Sequence, residues 1–551
     1  MVRKGHLGVV AAAMLLAALS TPPVYAGITR VLLISVDGMH ALDFTNCSKA
    51  GTCPNLSALA KTGINYVDTS ASKPSDSFPG LMALVTGGSP RSVGAFYDVA
   101  YDRALAPPRI MTGNAVLPGP CPSAIGTRTE YDEGIDRDQS KLNAGDPVSD
   151  GTEAAIDPLK LVRDPKHNCS PVYPWNFIRT NTIFGVIHNS GRYTAWEDKH
   201  VSYSAVSGPG NGHNVDDYFG PEINSVSVAM PQVTIMKCNP LPDKAAFLAG
   251  DDYTGSFQNI QCYDSLKVQG ILNQIDGRTH NGKAFAPVPD IFGMNFQAVS
   301  IGQKLIYQDA PTVAPGYSTH GGYVDSIGTP SASLLREIQF VDRSIGLMRS
   351  ELLRQGLLSS TLIIITAKHG QSPIDLARFF PIPGHAPLHN GMPPSQIVAD
   401  QLFNSETAQI GPTEDDISLL WLKSSSPGAV DEAVSDLEDN APAAGIGQIF
   451  SGPALGLMYK LGDSRTPDII VQPNVGVVYT GSKKKDAEHG GFAHDDVNVI
   501  MLLSNPSLMA ATITSPVETT QVAPTILKVL GLDPNSLQAV RQEGTQVLAG
   551  F

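Results

Sequence analysis

Residues 73–87 read Lys73-Pro-Ser-Asp-Ser-Phe-Pro-Gly-Leu-Met-Ala-Leu-Val-Thr-Gly87. A polar loop with two serines runs into Phe78-Pro79. The apolar run Leu81–Val85 follows and is closed by Thr86-Gly87-Gly88. Proline suits a first helical position, where its missing N–H breaks no bond, so Pro79 marks a helix start. Ser77 then stands at or just before that start. The unpaired amides and partial positive charge there favour an anion or a developing oxyanion. Read locally, Ser77 is either an N-cap or a nucleophile awaiting a metal or base to activate it.

The surroundings of this stretch give the fold class. Thr29–Val36 is a continuous apolar, β-branched run, the pattern of a strand buried on both faces of a parallel sheet. It ends in Asp37-Gly38-Met39. Asp37 sits where open α/β sheets place their ligands, or it caps the turn. Ser331–Gln355 carries Leu334, Leu335, Ile338, Val341, Ile345 and Met348 at helical spacing. A second buried strand, Thr361–Thr366, comes after it and ends in Ala367-Lys368-His369-Gly370. Helix-then-strand order with right-handed crossovers predicts a doubly wound, mostly parallel α/β sheet.

Further elements are expected at Pro54–Thr62 (helix), Ile64–Thr69 (strand), Trp175–Asn189 (helix) and Pro289–Asn295 (strand). Gln297–Tyr307 is read as helix, Val499–Leu503 as strand and Gln521–Leu530 as helix. Pro467–Val471 and Val475–Tyr479 are expected to pair with each other. Residues 96–288 are rich in Pro, Gly, Asn, Asp and aromatics and read as a loop-rich insertion or cap. They divide the α/β core into 27–95 and 289–551. Inside the insertion, a strand from Thr194 runs out toward Asp198 and His200, which either border a pocket or, as the favoured expectation, lie in a solvated loop.

Composition limits the function. The 551 residues exceed a single small core. A net charge of −14 argues against a protein that coats duplex nucleic acid. Residues 1–26 read as a secretory signal: Arg3 and Lys4, the short apolar run Val9–Leu19, then Val24-Tyr25-Ala26 as a cleavage site. No later stretch is long and apolar enough to span a membrane. A secreted or otherwise extracytoplasmic chain would oxidise its six cysteines to disulfides. Loop economy favours Cys47–Cys53 and Cys238–Cys262. No Cys-x-x-Cys pair suggests a thiolate zinc site. Asn46, Asn55 and Asn168 begin glycosylation sequons.

Asp37 after the first strand, Ser77 at a helix start, Lys368-His369-Gly370 after a later strand and His489-Gly490 near the end form an ordered pattern. It resembles the alkaline phosphatase superfamily, and within it the type I phosphodiesterase/nucleotide pyrophosphatase family. The resemblance includes Ser77-Phe-Pro with Val85-Thr-Gly, and the closing Ala523-Pro-Thr-Ile-Leu with Leu530-Gly531-Leu532. It implies an alkaline phosphatase-like sheet and two-zinc phosphoryl transfer to a Ser or Thr alkoxide, on a small phosphorylated substrate. On this resemblance Ser77 is the nucleophile, Asp37 and His369 bind the nucleophile-side metal, and His489 binds the other.

The chain departs from that pattern. Lys368 stands where the family has Asp, and a protonated ammonium has no lone pair for a cation. The family's Pro-Asp-x-x-Gly-His segment falls on Gln297–Lys304, where Val299 and Gln303 replace its Asp and His. An alternative placement takes His320 and Asp325 from His320-Gly-Gly-Tyr-Val-Asp325 as substitute ligands. Three functions follow as expectations. The first is an exported phosphate-ester hydrolase with Ser77 as nucleophile, a rearranged site for one or two divalent ions (zinc above all), and Lys368 replacing part of one metal's charge. The second is a sulfatase, which needs an Arg that Ser77-Phe-Pro-Gly-Leu81 lacks. The third is an inactive anion- or partner-binding pseudoenzyme.

Overall fold

The computed structural model describes residues 27–551 apart from 132, 148–151, 226–229, 231–232, 240, 244–252, 307–313, 385–390 and 404–412. The expected signal sequence, residues 1–26, lies outside the described residues.

The strand Arg30–Val36 forms the centre of an eight-stranded sheet. It pairs in parallel with Ile291–Phe296 on one side and Thr361–Thr366 on the other. Successive side chains point to opposite faces. Val31 and Leu33 pack on one core with Leu362 and Ile364. Leu32, Ile34 and Val36 pack on a second core with Ile363, Ile365, Phe292 and Met294. Both faces are therefore buried, as the unbroken apolar runs predicted. The helices Phe257–Ile275 and Ala332–Arg354 cover the second core, and Ser77–Thr86 and Val522–Val529 cover the first. Leu502–Ser504 lies antiparallel to Thr361–Thr366, so the sheet is mixed toward that edge.

Several boundaries match the sequence reading closely, including Thr361–Thr366, Ala332–Arg354 and Val522–Val529. Others differ. The helix expected over Trp175–Asn189 is two pieces, Pro174–Phe177 and Ile183–Asn189, with Thr182 capping the second by accepting from the Gly185 amide. Ile469–Pro473 and Val477–Thr480 do not pair with each other. The first joins Ser418–Leu420 and Ile446–Ser451, and the second joins Phe380–Pro383. The segment 96–288 is not confined to a cap. Its strands Ala195–Glu197 and Asp217–Phe219 extend the main sheet beyond Ile291–Phe296, and its helix Phe257–Ile275 lies on the sheet. The first of these strands matches the one expected from Thr194, but at three residues each neither shows a period that would assign it to the main sheet.

Three disulfides join Cys47 to Cys53, Cys121 to Cys169 and Cys238 to Cys262, and two of these are the pairs expected from loop economy. Among the described residues no helix is long and apolar enough to cross a membrane.

Outside the main sheet, Thr127–Glu130 pairs with Val99–Asp102 and buries the Glu130 carboxyl. Burial pushes that acid up to about 7, against the pull of Arg128 3.4 Å away. A raised acid is protonated in the fold, so its contribution is complete at low pH and is lost as pH rises from about 4.5 through about 7. Glu130→Gln removes this titration. Its stability relative to wild type should climb by up to about 3 kcal/mol between roughly pH 5 and pH 8. Thermal melts at the two ends of that range check this, and a constant difference between the proteins would contradict it.

Candidate active site

Four neighbouring strands of the sheet end on the same side: Thr361–Thr366, Arg30–Val36, Ile291–Phe296 and Ala195–Glu197. Each delivers polar residues just beyond or at its C-terminal end, where a parallel sheet offers a crevice. Arg30–Val36 is followed by Asp37, Thr361–Thr366 by Lys368 and His369, and Ala195–Glu197 by Asp198 and Lys199. Ile291–Phe296 contributes Asn295 and then Gln297.

Ser77 arrives from the opposite direction, as the first residue of the helix Ser77–Thr86. Asp76 is the N-cap, its carboxylate accepting from the Phe78 amide at 3.1 Å. The helix thus starts two residues earlier than Pro79 suggested, and the capping role falls to Asp76 rather than Ser77. Gly80 lets this helix approach the strand end. A Cβ there would stand 2.3 Å from the Lys368 carbonyl oxygen.

Ser77 Oγ lies 3.1 Å from His369 Nε2 and accepts a hydrogen bond from Lys199 Nζ at 3.0 Å. The other ring nitrogen of His369, Nδ1, lies 2.7 Å from the Gly370 carbonyl, which can only accept. Nδ1 therefore carries a proton, and in the neutral ring Nε2 presents its lone pair to the Ser77 hydroxyl. The His369 and His489 rings lie 4.0 Å apart. Burial first, then His369, Lys304 and Lys199, hold His489 well below the usual imidazole range, so its ring is neutral. His489 Nδ1 is 3.4 Å from Asp76 Oδ1.

Asp37 joins the two halves of the site. Its Oδ1 accepts from Asn295 Nδ2 and its Oδ2 from Gln297 Nε2, each at 2.7 Å. Lys199 Nζ and Lys368 Nζ each stand 3.9 Å from the same Oδ2, and His369 Nε2 stands 3.6 Å from it. Burial alone would raise this acid. Lys368, His369 and Lys199 together bring it well below the usual carboxylate range. Lys368 is fully buried. It donates to Asp198 Oδ1 at 2.9 Å and lies 4.1 Å from the Tyr203 ring centre. Trp196 Nε1 holds the other Asp198 oxygen at 3.0 Å.

Ser77, Asp37, Lys368, His369 and His489 come together as the sequence order suggested. His320 and Asp325 do not join them. The His320 ring is exposed and pairs with Asp486 at 3.2 Å, and Asp325 is an exposed turn residue accepting from the Ile327 and Thr329 amides. Val299 is buried in the core, and Gln303 donates to the Gly38 carbonyl and to Tyr323. Asp198 and His200, expected in solvent, are buried, with His200 2.9 Å from Glu222. The sequence reading missed Lys199, Asn295 and Gln297. The one signal for Lys199 was its place in the polar loop just beyond a short strand, Ala195–Glu197.

A divalent metal needs lone pairs converging on one point. Around Asp37 the neighbours are mostly N–H donors instead, two amides and two ammonium groups, and beside them stands the single ring nitrogen of His369 at 3.6 Å. Lys368 occupies the position where a second carboxylate was needed. Among the described residues no three His, Cys, Asp or Glu side chains are grouped to hold an ion. The residues present do not fit the expected divalent metals.

The sequence matches the type I phosphodiesterase / nucleotide pyrophosphatase family over residues 31–127 and 211–495. No curated protein sequence matches the chain. Among solved structures, murine ectonucleotide pyrophosphatase / phosphodiesterase 5 superposes with a TM-score of 0.52 at 15% identity, covering 92% of this chain and 96% of that one. An inactive variant of the murine protein in complex with AMP gives 0.52 at 14%, over 92% and 96%. The human counterpart gives 0.51 at 13%, over 91% and 95%. These likenesses share the alkaline phosphatase-like fold, and the family match spans well over half of the sequence: the chain belongs to the type I phosphodiesterase / nucleotide pyrophosphatase family.

Proposed function

We propose that this protein is an exported hydrolase of phosphodiesters or phosphoanhydrides of small molecules, nucleotides foremost, with Ser77 as nucleophile. One observation carries the reading. Ser77 Oγ sits at a helix N-terminus between a histidine nitrogen at 3.1 Å and an ammonium at 3.0 Å. A hydroxyl so placed has a base to receive its proton and positive charge to steady the alkoxide. The AMP bound to the murine relative supports a nucleotide as substrate. The three disulfides support export. The 96–288 segment, which supplies Lys199 and Tyr203, is assigned the choice of substrate.

In the proposed reaction Ser77 Oγ bonds to phosphorus while its proton passes to His369 Nε2. The P–O bond to the leaving group breaks, and the departing oxygen takes that proton. Water then adds to the phosphoseryl ester. One of its protons goes to His369 and on to Ser77 Oγ as the Oγ–P bond breaks. The phosphorylated product leaves with the water oxygen. The donors around Asp37 do not fit a divalent ion, and in this reaction Ser77, His369 and Lys199 supply the nucleophile, the base and the positive charge.

A second reading is an anion-binding protein without turnover. It is favoured by the burial of the nucleophile: Ser77 and Lys368 have no exposure, and Lys199 and His489 reach the surface only slightly. Hydrolysis of bis-p-nitrophenyl phosphate separates the two. Turnover lost in Ser77→Ala, with a phosphoserine at position 77 trapped in wild type by acid quench and mass spectrometry, supports the hydrolase. Absence of turnover in wild type supports the binding protein. His369→Asn should lower kcat by about a hundredfold or more while leaving KM nearly unchanged, because the base acts on the serine proton and not on substrate binding.

A further inference from the structure

Two lysines from different strands place their ammonium groups on one carboxylate oxygen. Lys199 Nζ and Lys368 Nζ both stand 3.9 Å from Asp37 Oδ2. Buried lysines are rare unless paired, because removing an ammonium from water is costly. Each of these is held in place by its own contacts. Lys368 is held by Asp198 at 2.9 Å and by the Tyr203 ring. Lys199 follows Asp198 directly, its own amide bonding that carboxylate at 2.9 Å, and its side chain reaches Ser77 Oγ. Asn295 and Gln297 then fix Asp37 from below. Beneath them, Lys267 Nζ donates to the Asn295 carbonyl at 2.6 Å, and Asp264 accepts from the Gln297 and Ala298 amides. The pair of ammonium groups is therefore built in, not incidental.

We propose that Lys199 and Lys368 are the resident cations of this site in place of divalent metals, and that Lys199 holds a phosphoryl group at Ser77. Lys199, the more exposed of the two and already on Ser77 Oγ, is the catalytic contact to the phosphoryl oxygen. Lys368, buried behind it, is a positioning residue that keeps Asp37 charged and aligned. The carboxylate that would ligate a metal serves as counter-ion to two ammonium groups. The location of this oxyanion site rests on the Ser77 reading above, but its metal independence is separately measurable.

The test uses the full mature protein. Bound metal is measured by elemental analysis after dialysis against chelator, and inorganic phosphate is titrated by calorimetry in chelator with wild type, Lys199→Met, Lys199→Arg and the double variant Lys368→Met/Asp198→Asn. The double variant removes both charges of the buried pair, which guards against unfolding from one unpaired charge. The expected result is no stoichiometric metal and phosphate binding that survives chelator. Affinity should fall by roughly ten- to hundredfold in Lys199→Met, with much of it kept in Lys199→Arg. Lys368→Asp should gain zinc by elemental analysis, since it restores a carboxylate beside Asp37 and His369.

Stoichiometric zinc in wild type, with phosphate binding lost in chelator, overturns the proposal even if the protein hydrolyses esters. Wild-type phosphate affinity in Lys199→Met also overturns it. Lys199-dependent, metal-free phosphate binding without ester hydrolysis upholds it while refuting the hydrolase reading.

Discussion

The contact between the Asp37 carboxylate and the two ammonium groups on its Oδ2 is the constraint the rest of the site depends on. At 3.9 Å and an effective dielectric near 20, each ammonium attracts the carboxylate by about 4 kcal/mol. That gain has to offset the desolvation of several buried charges, which costs several kcal/mol for each ion. The balance holds only if every remaining lone pair and N–H is engaged. Asn295 and Gln297 take the other approaches to Asp37, Asp198 accepts from Lys368, and Trp196 donates to the second oxygen of Asp198. Removing one member leaves an opposite charge buried without its partner.

The sheet makes this arrangement possible through register. Val36 lies beside Phe296 in the parallel ladder, and Ser35 beside Thr366. Carried one residue past the ladders, Asp37, Gln297 and Lys368 are therefore level with one another at the strand ends. A slip of one residue in either ladder would exchange the faces of every side chain in that strand and send Leu32 and Ile34 to the wrong core. The apolar packing on both faces thus fixes the polar cluster at the end of the sheet. Gly80 has the same role from the other side. A side chain there would hold the Ser77 helix away from Lys368 and open the distance between nucleophile and base.

Much of this was legible in the sequence because buried parallel strands leave continuous apolar runs that end abruptly. The runs before Asp37 and before Lys368 located two strand ends, and the proline-glycine stretch after Ser77 located the helix. The resemblance to a family then connected Ser77, Asp37, His369 and His489, and these residues do meet. Lys199 was not legible because the short strand before it, although expected, lies in a segment whose turns and aromatics look like a cap, so nothing tied its end to the main sheet. Asn295 and Gln297 were hidden for another reason. They are neutral amides, one on a core strand and one just beyond its end, and nothing local distinguishes an amide that braces a carboxylate from one that faces solvent. The His320 and Asp325 placement failed because it matched residue types and spacing. The turn at Asp325 is an ordinary side-chain-capped loop satisfied by its own amides.

An ammonium and a divalent metal are not equivalent in this position. The metal supplies two charges, polarises a phosphoryl oxygen and lowers the pKa of bound water. An ammonium supplies one charge and up to three donors, and it creates no hydroxide. A site that exchanges metals for lysines therefore keeps the means to hold an oxyanion but loses its built-in source of nucleophile activation. On the proposed reading the loss is met by His369. Its Nδ1–H is committed to the Gly370 carbonyl, which fixes the tautomer and turns Nε2 toward the Ser77 hydroxyl. In a metal site the same ring would give Nε2 to the ion and have no lone pair left for the serine. Replacing the metals thus changes the task of the histidine as well as that of the lysines: the residue that would have been a ligand becomes the base.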